Sequence, residues 1–403
     1  MRLFSDPSIA IVVPMKPALK KGFAIGGRLA RTLAPHTAPL FSFGTEEYWM
    51  ELALLESMES IGLSQPNPAV GCVLVQNRQL IAKGSTRAWK QEHAERVAFS
   101  RLDPGADLHH ATAYLTLEPC THQGFQPPCV DLLLKSPIPK IVIAVADPDP
   151  RVDGEGIRLL RAAGKEVVVG VLGPEAYAWN LNFFSTKKTG RPLWAAKWAQ
   201  TPTGHLCDAS GHSKWITGAE SRAYTHWLRQ KYDAIVVGAR TFLADQPRLT
   251  VRDCAGPLNR NPERFVFDPK GRTLDLPEAA REGFRILVCE PELQARGQGT
   301  PAGVIPVPVE KDSSELWTVF QDALQGSEFP RPLQSVLVEG GPGLLRELFK
   351  HDFFTVVHRF TGIRNFTALS EAHRMEWVGG GPWILETEEE IQGDLLHEWR
   401  KED

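Results

Sequence analysis

The sequence predicts an α/β protein built from two consecutive domains. The chain has 403 residues, which exceeds the length of an ordinary single domain. Its content of 42% hydrophobic and 23% charged residues is typical of a soluble globular protein. In both halves, apolar runs of strand length alternate with helical patterns, and this alternation indicates α/β layers.

The first half opens with a helix and a hairpin. Thr45 can cap a helix that starts at Glu46, and a turn at 76–78 joins predicted strands at 69–75 and 79–84. The elements that we expect next are a helix at 94–102, a strand at 111–117, a helix from Cys129, a strand at 140–145, and a helix followed by a strand within 152–170.

The pattern breaks at residues 186–192, which we interpret as a linker to a second α/β unit. That unit has predicted strands at 193–199, 234–238, 265–268, 285–288, 303–307 and 335–339, and predicted helices at 219–229, 314–324 and 344–350. We therefore expect a basic, disordered extension over residues 1–43, a first domain over 44–187 and a second over 188–403.

Composition argues against several classes of protein. A net charge of −3 gives no electrostatic case for a nucleic-acid partner, and no apolar run is long enough to span a bilayer. Six cysteines are too few for a disulfide framework, which favours a reducing, cytoplasmic location.

Residues 1–42 contain six Lys/Arg and one acid, Asp6. A transit peptide, a disordered extension or a misplaced start codon could each give this pattern.

One histidine and two cysteines predict a zinc site. His93, Cys120 and Cys129 supply three ligands, and a catalytic zinc leaves its fourth position to water. Glu95, two residues after the histidine, is placed to move protons. The pattern H-x-E followed by P-C and a second Cys is typical of zinc deaminases. The alternatives are a structural zinc site or core His and Cys residues without metal.

Several stretches of the sequence resemble one known enzyme family. They are P-N-P-A-V-G-C at 66–72, H-A-E at 93–95, L-E-P-C-T-H at 117–122, D-P-D-P at 147–150 and G-E-G at 154–156. The resemblance is to the bifunctional deaminase/reductase of riboflavin biosynthesis and covers about residues 46 to 400. It implies a cytidine-deaminase-like α/β/α sandwich followed by a dihydrofolate-reductase-like domain.

The resemblance also implies two reactions and two cofactors. The family uses Zn²⁺ for the hydrolytic deamination of a phosphoribosylated diaminopyrimidinone. It then uses NADPH to reduce the ribosyl chain of the product, 5-amino-6-(5-phosphoribosylamino)uracil, to ribityl. The implied partner is this small molecule, with neither nucleic acid nor membrane, and the implied assembly is a homodimer or homotetramer.

The resemblance assigns substrate contacts in the first domain to Asn67 and His122. The chain departs from the family at two positions nearby: Thr86 stands where a histidine is usual, and Phe125 where Lys or Arg is usual. Those family residues bind the phosphoribosyl part of the substrate. The departures leave the zinc chemistry intact but leave phosphate binding open, with Arg87 or Lys90 as possible substitutes.

In the second domain the resemblance assigns two sets of contacts. The substrate contacts are Ser213, Arg229, Leu249, Arg252 and Glu339, and the NADP contacts are Ala199, Trp215, Thr241 and Asp245. Gly340 and Gly341 join a predicted strand to a predicted helix, where backbone N–H groups can receive a cofactor phosphate. A plain tight turn is the alternative interpretation of these two glycines.

The second domain departs from the family at Thr201-Pro202-Thr203-Gly204, where Ser-Leu-Asp-Gly is usual. Lys197, earlier in the same motif, is kept and faces either the substrate or the solvent. A deaminase with a degenerate reductase domain, or a paralogue acting on a modified pyrimidine, is therefore a further hypothesis. A nucleic-acid deaminase and a zinc-stabilised binding module are the remaining alternatives.

Overall fold

The computed structural model describes residues 41–149, 152–211, 213, 216–252, 260–297, 299–326, 329, 331–366, 368–375, 377 and 382–402. Trp215 and residues 1–40 of the predicted extension lie outside these ranges. Within them, no helix is both long and apolar enough to cross a bilayer.

The described part of the first half forms a five-stranded sheet with the order β2-β1-β3-β4-β5. Its strands are β1 (Gly71–Gln76), β2 (Gln79–Ser85), β3 (Ala111–Leu115), β4 (Lys140–Ile143) and β5 (Glu166–Val169). β1 runs antiparallel to β2 and β3, whereas β3, β4 and β5 are parallel. The predicted hairpin is confirmed, and the predicted strands at 111–117 and 140–145 are each two residues longer than the observed ones.

Helices cover this sheet on both faces. They are α1 (Glu46–Ser57), α2 (Ala94–Ser100), α3 (Cys129–Lys135), α4 (Glu155–Ala162), α5 (Gly173–Trp179) and α6 (Leu181–Thr189). Two glycines permit the closest contacts. A Cβ on Gly71 would lie 1.9 Å from Ala53 O of α1, and a Cβ on Gly84 would lie 2.6 Å from Ala94 O of α2. The strand glycines therefore set how closely α1 and α2 approach the sheet.

The linker prediction is partly wrong. α6 continues through Thr186 to Thr189, and the chain leaves the helix only at Gly190, whose φ is 71°. The polar run that suggests a linker supplies the exposed last turn of a helix. The boundary between 187 and 188 stays a prediction.

The described part of the second half forms a nine-stranded sheet with the order β10-β9-β8-β7-β11-β6-β12-β14-β13. Its strands are β6 (Leu193–Gln200), β7 (Ala234–Gly238), β8 (Glu263–Phe267), β9 (Arg285–Cys289), β10 (Val304–Val307), β11 (Ser335–Val338), β12 (Val356–Thr361), β13 (Trp383–Ile391) and β14 (Asp394–Lys401). The strands from β10 to β12 are parallel, and β14 and β13 add an antiparallel hairpin at one edge.

Helices of the second half are α7 (Ala219–Lys231), α8 (Ala239–Asp245), α9 (Glu278–Arg281), α10 (Glu290–Ala295), α11 (Leu316–Leu324) and α12 (Pro342–Lys350). Single 3₁₀ turns lie at Met58–Ser60, Arg272–Asp275 and Glu371–His373. Val338 pairs with Ala196 of β6 and with Val236 of β7, which aligns the carboxyl ends of the central parallel strands. Ligands of open α/β sheets bind at such an edge.

The two halves share one apolar core at their junction. Buried Ile61, Ala69 and Leu181 of the first half belong to the same cluster as Trp227 and Tyr232 of the second. This shared core is an apolar contact between the two halves of the chain.

Candidate active sites

The three predicted zinc ligands lie together. Their ligand atoms are all within 4.8 Å of one another, and His93 Nδ1 is 3.6 Å from Cys120 Sγ and 3.5 Å from Cys129 Sγ. Tetrahedral zinc, with bonds of about 2.0–2.3 Å, separates neighbouring ligand atoms by about 3.5–3.8 Å. One imidazole and two thiols at this spacing therefore fit zinc.

Two helix starts place these ligands. His93 is the residue that precedes α2, and Cys129 is the first residue of α3. The backbone N–H of Cys129 donates to Cys120 Sγ over 3.3 Å. The pKa of Cys120 lies well below its ordinary value because the Cys129 thiol and His93 hydrogen-bond to it. This lowered pKa favours the thiolate form of Cys120, the form that zinc binds.

Glu95 lies in the first turn of α2, beside the ligands, and is only 4% exposed. Burial raises the pKa of its carboxyl, and neighbouring His93 opposes that rise. A buried carboxylate with a raised pKa takes up a proton more readily than an exposed one, as a proton-transfer group must.

Two residues that the sequence did not single out stabilise the loops around the zinc ligands. Arg96 Nη2 donates to Pro127 O over 2.8 Å, which ties α2 to the segment before Cys129. The buried Glu118 carboxylate accepts from the backbone N–H groups of Asp147 and Gly154 at 3.1 Å each. Its position directly before the Pro-Cys pair was the signal available in the sequence.

The predicted pyrimidine contacts and the departures from the family have different surroundings. Asn67 and His122 are half-buried, and His122 Nδ1 is a buried atom with no hydrogen-bond partner among the described residues. Thr86 is buried, its N–H donates to Val70 O, and its carbonyl accepts from Ser60 Oγ at 2.7 Å. The backbone of Thr86 thus stabilises the start of the loop formed by residues 86–93.

A cation lies at the tip of that loop. Lys90 Nζ is 4.3 Å from the ring centre of Trp89 and 5.1 Å from that of Phe125. Phe125 is 67% exposed, so the two rings form an open surface that orients an ammonium group by cation–π attraction. Lys90 precedes His93 by three residues, so the Cα atoms of the two residues are at most about 11 Å apart.

In the second domain, Arg229 and Glu339 lie together in a buried ion pair. Arg229 Nε and Nη2 donate to the two Glu339 carboxylate oxygens at 2.7 and 3.0 Å, and Nη1 donates to Thr250 O at 3.0 Å. Lys197 Nζ is 3.8 Å from Glu339 Oε2. All three nitrogens of Arg229 therefore bind protein groups, and its contact with a phosphate stays a prediction.

The charges of this cluster determine its protonation. Burial alone would raise the pKa of Glu339, but Arg229 and Lys197 lower it to about 2. Burial lowers the pKa of the Lys197 ammonium, and Glu339 opposes that change. Glu339 is therefore a permanent anion at neutral pH, and Lys197 loses its proton more readily than an exposed lysine.

Two predicted NADP contacts also meet. The backbone N–H of Gly341 donates to Thr241 Oγ1 over 3.2 Å, at the start of α12. Ala199 lies on β6, opposite Phe360 of β12. Asp245 is the last residue of α8 and is exposed.

The remaining predicted contacts lie after α8 or near the undescribed residues. Leu249 is buried with φ of 51°, and exposed Arg252 donates from Nη1 to Thr250 Oγ1 over 3.0 Å. Ser213 is half-buried, and both its neighbours lie outside the described residues.

The substituted turn after β6 is closed by threonine hydroxyl groups. Thr201 Oγ1 accepts from the His205 N–H at 3.1 Å and lies 2.9 Å from Thr203 Oγ1. Gly204, with φ of 84°, completes the turn in the left-handed region. The turn forms without the aspartate that the family usually has.

Both domains match known families. Residues 44–145 match the cytidine and deoxycytidylate deaminase zinc-binding region, and residues 194–361 match the RibD C-terminal domain. The chain is 40% identical over 309 residues to the riboflavin biosynthesis protein RibD of Actinobacillus pleuropneumoniae, covering 75% of this chain and 80% of that protein. It is 35% identical over 314 residues to RibD of Aquifex aeolicus, covering 77% and 84%.

Solved structures are similar over most of the chain. A diaminohydroxyphosphoribosylaminopyrimidine deaminase/5-amino-6-(5-phosphoribosylamino)uracil reductase from Thermotoga maritima superposes with a TM-score of 0.74 at 32% identity, covering 88% of this chain and 98% of that one. RibD of Acinetobacter baumannii superposes with a TM-score of 0.68 at 28% identity, covering 90% and 100%.

Proposed function

The chain belongs to the RibD family of riboflavin biosynthesis proteins, and from this we propose that it deaminates a phosphoribosylated diaminopyrimidinone and then reduces the ribosyl chain of the product to ribityl. The predicted fold class, the deaminase and reductase activities, and zinc and NADPH as cofactors are confirmed. The exact substrate and the roles of individual residues are our proposal.

The deaminase reaction takes place at the group His93, Cys120 and Cys129. His93, Cys120 and Cys129 would hold zinc, which would supply a polarised water molecule for attack on the carbon that bears the amine. Glu95 takes the proton from that water and delivers it to the departing amine, which leaves as ammonia. Asn67 and His122 orient the pyrimidine, and the unpartnered Nδ1 of His122 is available for a hydrogen bond to it. The observation that carries this proposal is the buried Glu95 beside a ligand set with zinc spacing.

Lys90 binds the phosphate of the substrate in the first site. The chain lacks the usual basic residue at Phe125, and in its place Lys90 Nζ lies over the Phe125 and Trp89 rings. The cation–π contacts fix the ammonium near the site without neutralising it. The phosphate then forms an ion pair with a cation whose position is already set.

The reductase reaction takes place where β6, β7 and β11 end. NADPH supplies a hydride, with Ala199, Trp215, Thr241, Asp245, Gly340 and Gly341 as its proposed contacts. When bound there, NADPH would supply this hydride to the ribosyl carbon bound to nitrogen, whose bond to the ring oxygen would break. Lys197 donates the proton that the released oxygen needs, and Glu339 and Arg229 fix its position.

Substrate binding in this site is proposed for Ser213, Leu249 and Arg252, with Arg229 and Glu339 close by. Arg252 is the exposed cation of the set and suits a phosphate because its planar group binds two oxygens. The turn closed by Thr201 and Thr203 and the Thr241–Gly341 contact support a working reductase over a degenerate one.

A coupled assay tests the proposed function. The purified chain is supplied with the diaminopyrimidinone phosphate, with and without NADPH, while ammonia release and NADPH absorbance are recorded. Ammonia should appear in both cases, and NADPH should be consumed only after deamination. Absence of ammonia release from zinc-loaded protein would overturn the deaminase assignment. Ammonia release without NADPH oxidation, even with the deaminated product supplied, would favour the degenerate-reductase hypothesis.

The proposal also covers the domain boundaries, the cellular location and the assembly of the chain. We place the domains at 44–187 and 188–403, and we expect a cytoplasmic homodimer or homotetramer that acts on a small molecule. Light scattering on the purified chain measures its mass, and a monomer of 44.7 kDa would contradict the expected assembly.

A further inference from the structure

The loop that carries Asn67 is anchored by the second domain. Gln65 is 6% exposed, and its side chain makes two contacts across the junction. Nε2 donates to Lys231 O over 3.1 Å, and Oε1 accepts from Arg260 Nη2 at 2.6 Å. Its backbone carbonyl accepts from Arg331 Nη1 at 2.8 Å. Three residues of the second domain thus bind one residue of the first.

These anchors belong to the framework of the second domain. Arg260 Nη2 also contacts Asp233 Oδ1 at 2.5 Å, and the Asp233 side chain is fully buried. Asp233 Oδ2 accepts from Gln334 N at 2.9 Å and from Ser335 Oγ at 3.1 Å. Ser335 begins β11, which leads to Glu339. Asp233 therefore connects Arg260, one of the partners of Gln65, to the first residue of the strand that ends at the second site.

Within the first domain, a short turn links Gln65 to Asn67. Ser64 O accepts from Asn67 N at 3.0 Å, and Ser64 Oγ donates to Asn67 O over 3.1 Å. Beyond the turn, the Asn180 side chain both accepts from Ala69 N at 2.7 Å and donates to Ala69 O over 2.9 Å. The backbone is thus fixed on both sides of Asn67, and the anchor on the side of Gln65 comes from the other domain.

The two domains approach closely beside this loop. Gly62 has φ of 74°, and a Cβ built on it would lie 2.9 Å from Gln230 O of α7. Such contact leaves little room for the loop to move relative to the second domain, because folded interiors are close-packed.

We propose that Gln65 is a positioning residue through which the second domain fixes Asn67 for deamination. This inference rests on the proposed function, in which Asn67 contacts the pyrimidine. Asn67 keeps its orientation only while Lys231, Arg260 and Arg331 bind Gln65. Substrate affinity at the zinc site therefore depends on residues of the reductase domain that lie outside both active sites.

Two variants of the full zinc-loaded chain test the inference from opposite sides of the junction. Gln65→Met keeps the length of the side chain and removes its two hydrogen bonds, and Arg331→Met removes the bond to the Gln65 carbonyl from the second domain. Each should raise the KM for deamination by about five- to tenfold, the effect of one or two lost hydrogen bonds, with kcat within about twofold of wild type. Gln65→Glu keeps the acceptor for Arg260, so its KM should lie between that of wild type and that of Gln65→Met.

Thr186→Val is the matched control. Thr186 Oγ1 donates to Gln334 O over 3.2 Å, so the variant removes a contact of α6 with the second domain without touching the loop. Its deamination KM should equal that of wild type. Zinc content, and the reductase rate on supplied deaminated product, should be unchanged in every variant, which excludes general unfolding.

The outcomes separate the inference from the proposed function. Unchanged deamination KM in both Gln65→Met and Arg331→Met, with wild type active, would overturn the inference and leave the proposed function intact. An equal rise of KM in Thr186→Val would overturn it too, because the effect would then follow from any weakened contact at the junction. A wild type without deaminase activity would instead refute the proposed function.

Discussion

Two buried glutamates, one in each site, show how surroundings give the same side chain opposite roles. Glu95 is buried, and no lysine or arginine of the described ranges forms an ion pair with it, so desolvation raises the pKa of its carboxyl. Glu339 is also buried, yet Arg229 and Lys197 hold its pKa near 2. Desolvation dominates in the first case and ion pairing in the second. The first carboxyl suits proton transfer, and the second is a permanent anion that positions cations.

The largest effect is expected from Glu95→Gln. The amide keeps the size of the side chain but cannot carry a proton from water to amine, so kcat for deamination should fall by about a thousandfold. Zinc content should stay at the wild-type level, because Glu95 is not one of the three ligands. The measurement is ammonia release together with metal analysis. Near-normal kcat with zinc present would refute the role of Glu95.

Glu339→Gln should act on stability as well as on reduction. Loss of the anion leaves Arg229 and Lys197 buried without a counter-charge, which we expect to cost about 3 kcal/mol in the free energy of unfolding. Urea denaturation measures this cost. The control is Glu263→Gln, which breaks a partly exposed pair with Arg285 at 3.5 Å and should cost less than about 1 kcal/mol. Equal costs for the two variants would contradict the buried ion pair.

The pH dependence of stability is a second test of the buried Glu339 ion pair. The folded pKa of Glu339, about 2, lies below its ordinary value of 4.5, so the folded state favours the ionised form. The stability that this pair contributes is present above pH 4.5 and is lost as the pH falls toward 2. The difference in unfolding free energy between wild type and Glu339→Gln should therefore shrink over that window. A difference that grows on acidification would contradict the assignment.

Among the changes at the two sites themselves, the smallest effect is expected at Lys90. Lys90→Met removes the ammonium but keeps an apolar chain against Trp89 and Phe125, so the KM for deamination should rise about tenfold with kcat nearly unchanged, as for one lost charge-assisted contact. Lys135→Met, at an exposed lysine in α3, is the control and should leave the KM as in wild type. A dephosphorylated substrate should show no difference between Lys90→Met and wild type, and a tenfold difference there would exclude phosphate as the partner of Lys90.

The zinc site could be predicted from the sequence because its parts are short motifs. Glu95 follows His93 by two residues, and Cys120 and Cys129 flank a single loop, so one helix start and one loop bring the group together. The ion pair of the second site could not be predicted as a pair. Arg229 and Glu339 are separated by 110 residues. Arg229 lies on α7 and Glu339 follows β11, so only the folded domain brings them together. The resemblance named both residues, but not their contact with each other.

Local patterns also failed where one face of an element is polar. The last turn of α6 is exposed and looked like a linker. β13, with four glutamates, has no apolar run of strand length because it lies at the edge of the sheet. Gln65 gave no signal in the sequence, since its role depends on side chains that only the folded junction brings near.

The most direct test of one catalytic site for each reaction is a crossed assay of Glu95→Gln and Glu339→Gln in both half-reactions. Each zinc-loaded variant is given the diaminopyrimidinone phosphate for ammonia release, and separately the deaminated product with NADPH. We predict that Glu95→Gln loses deamination and keeps reduction, whereas Glu339→Gln keeps deamination and loses reduction. Loss of reduction in Glu95→Gln, or undiminished reduction in Glu339→Gln, would contradict the assignment of one glutamate to each reaction.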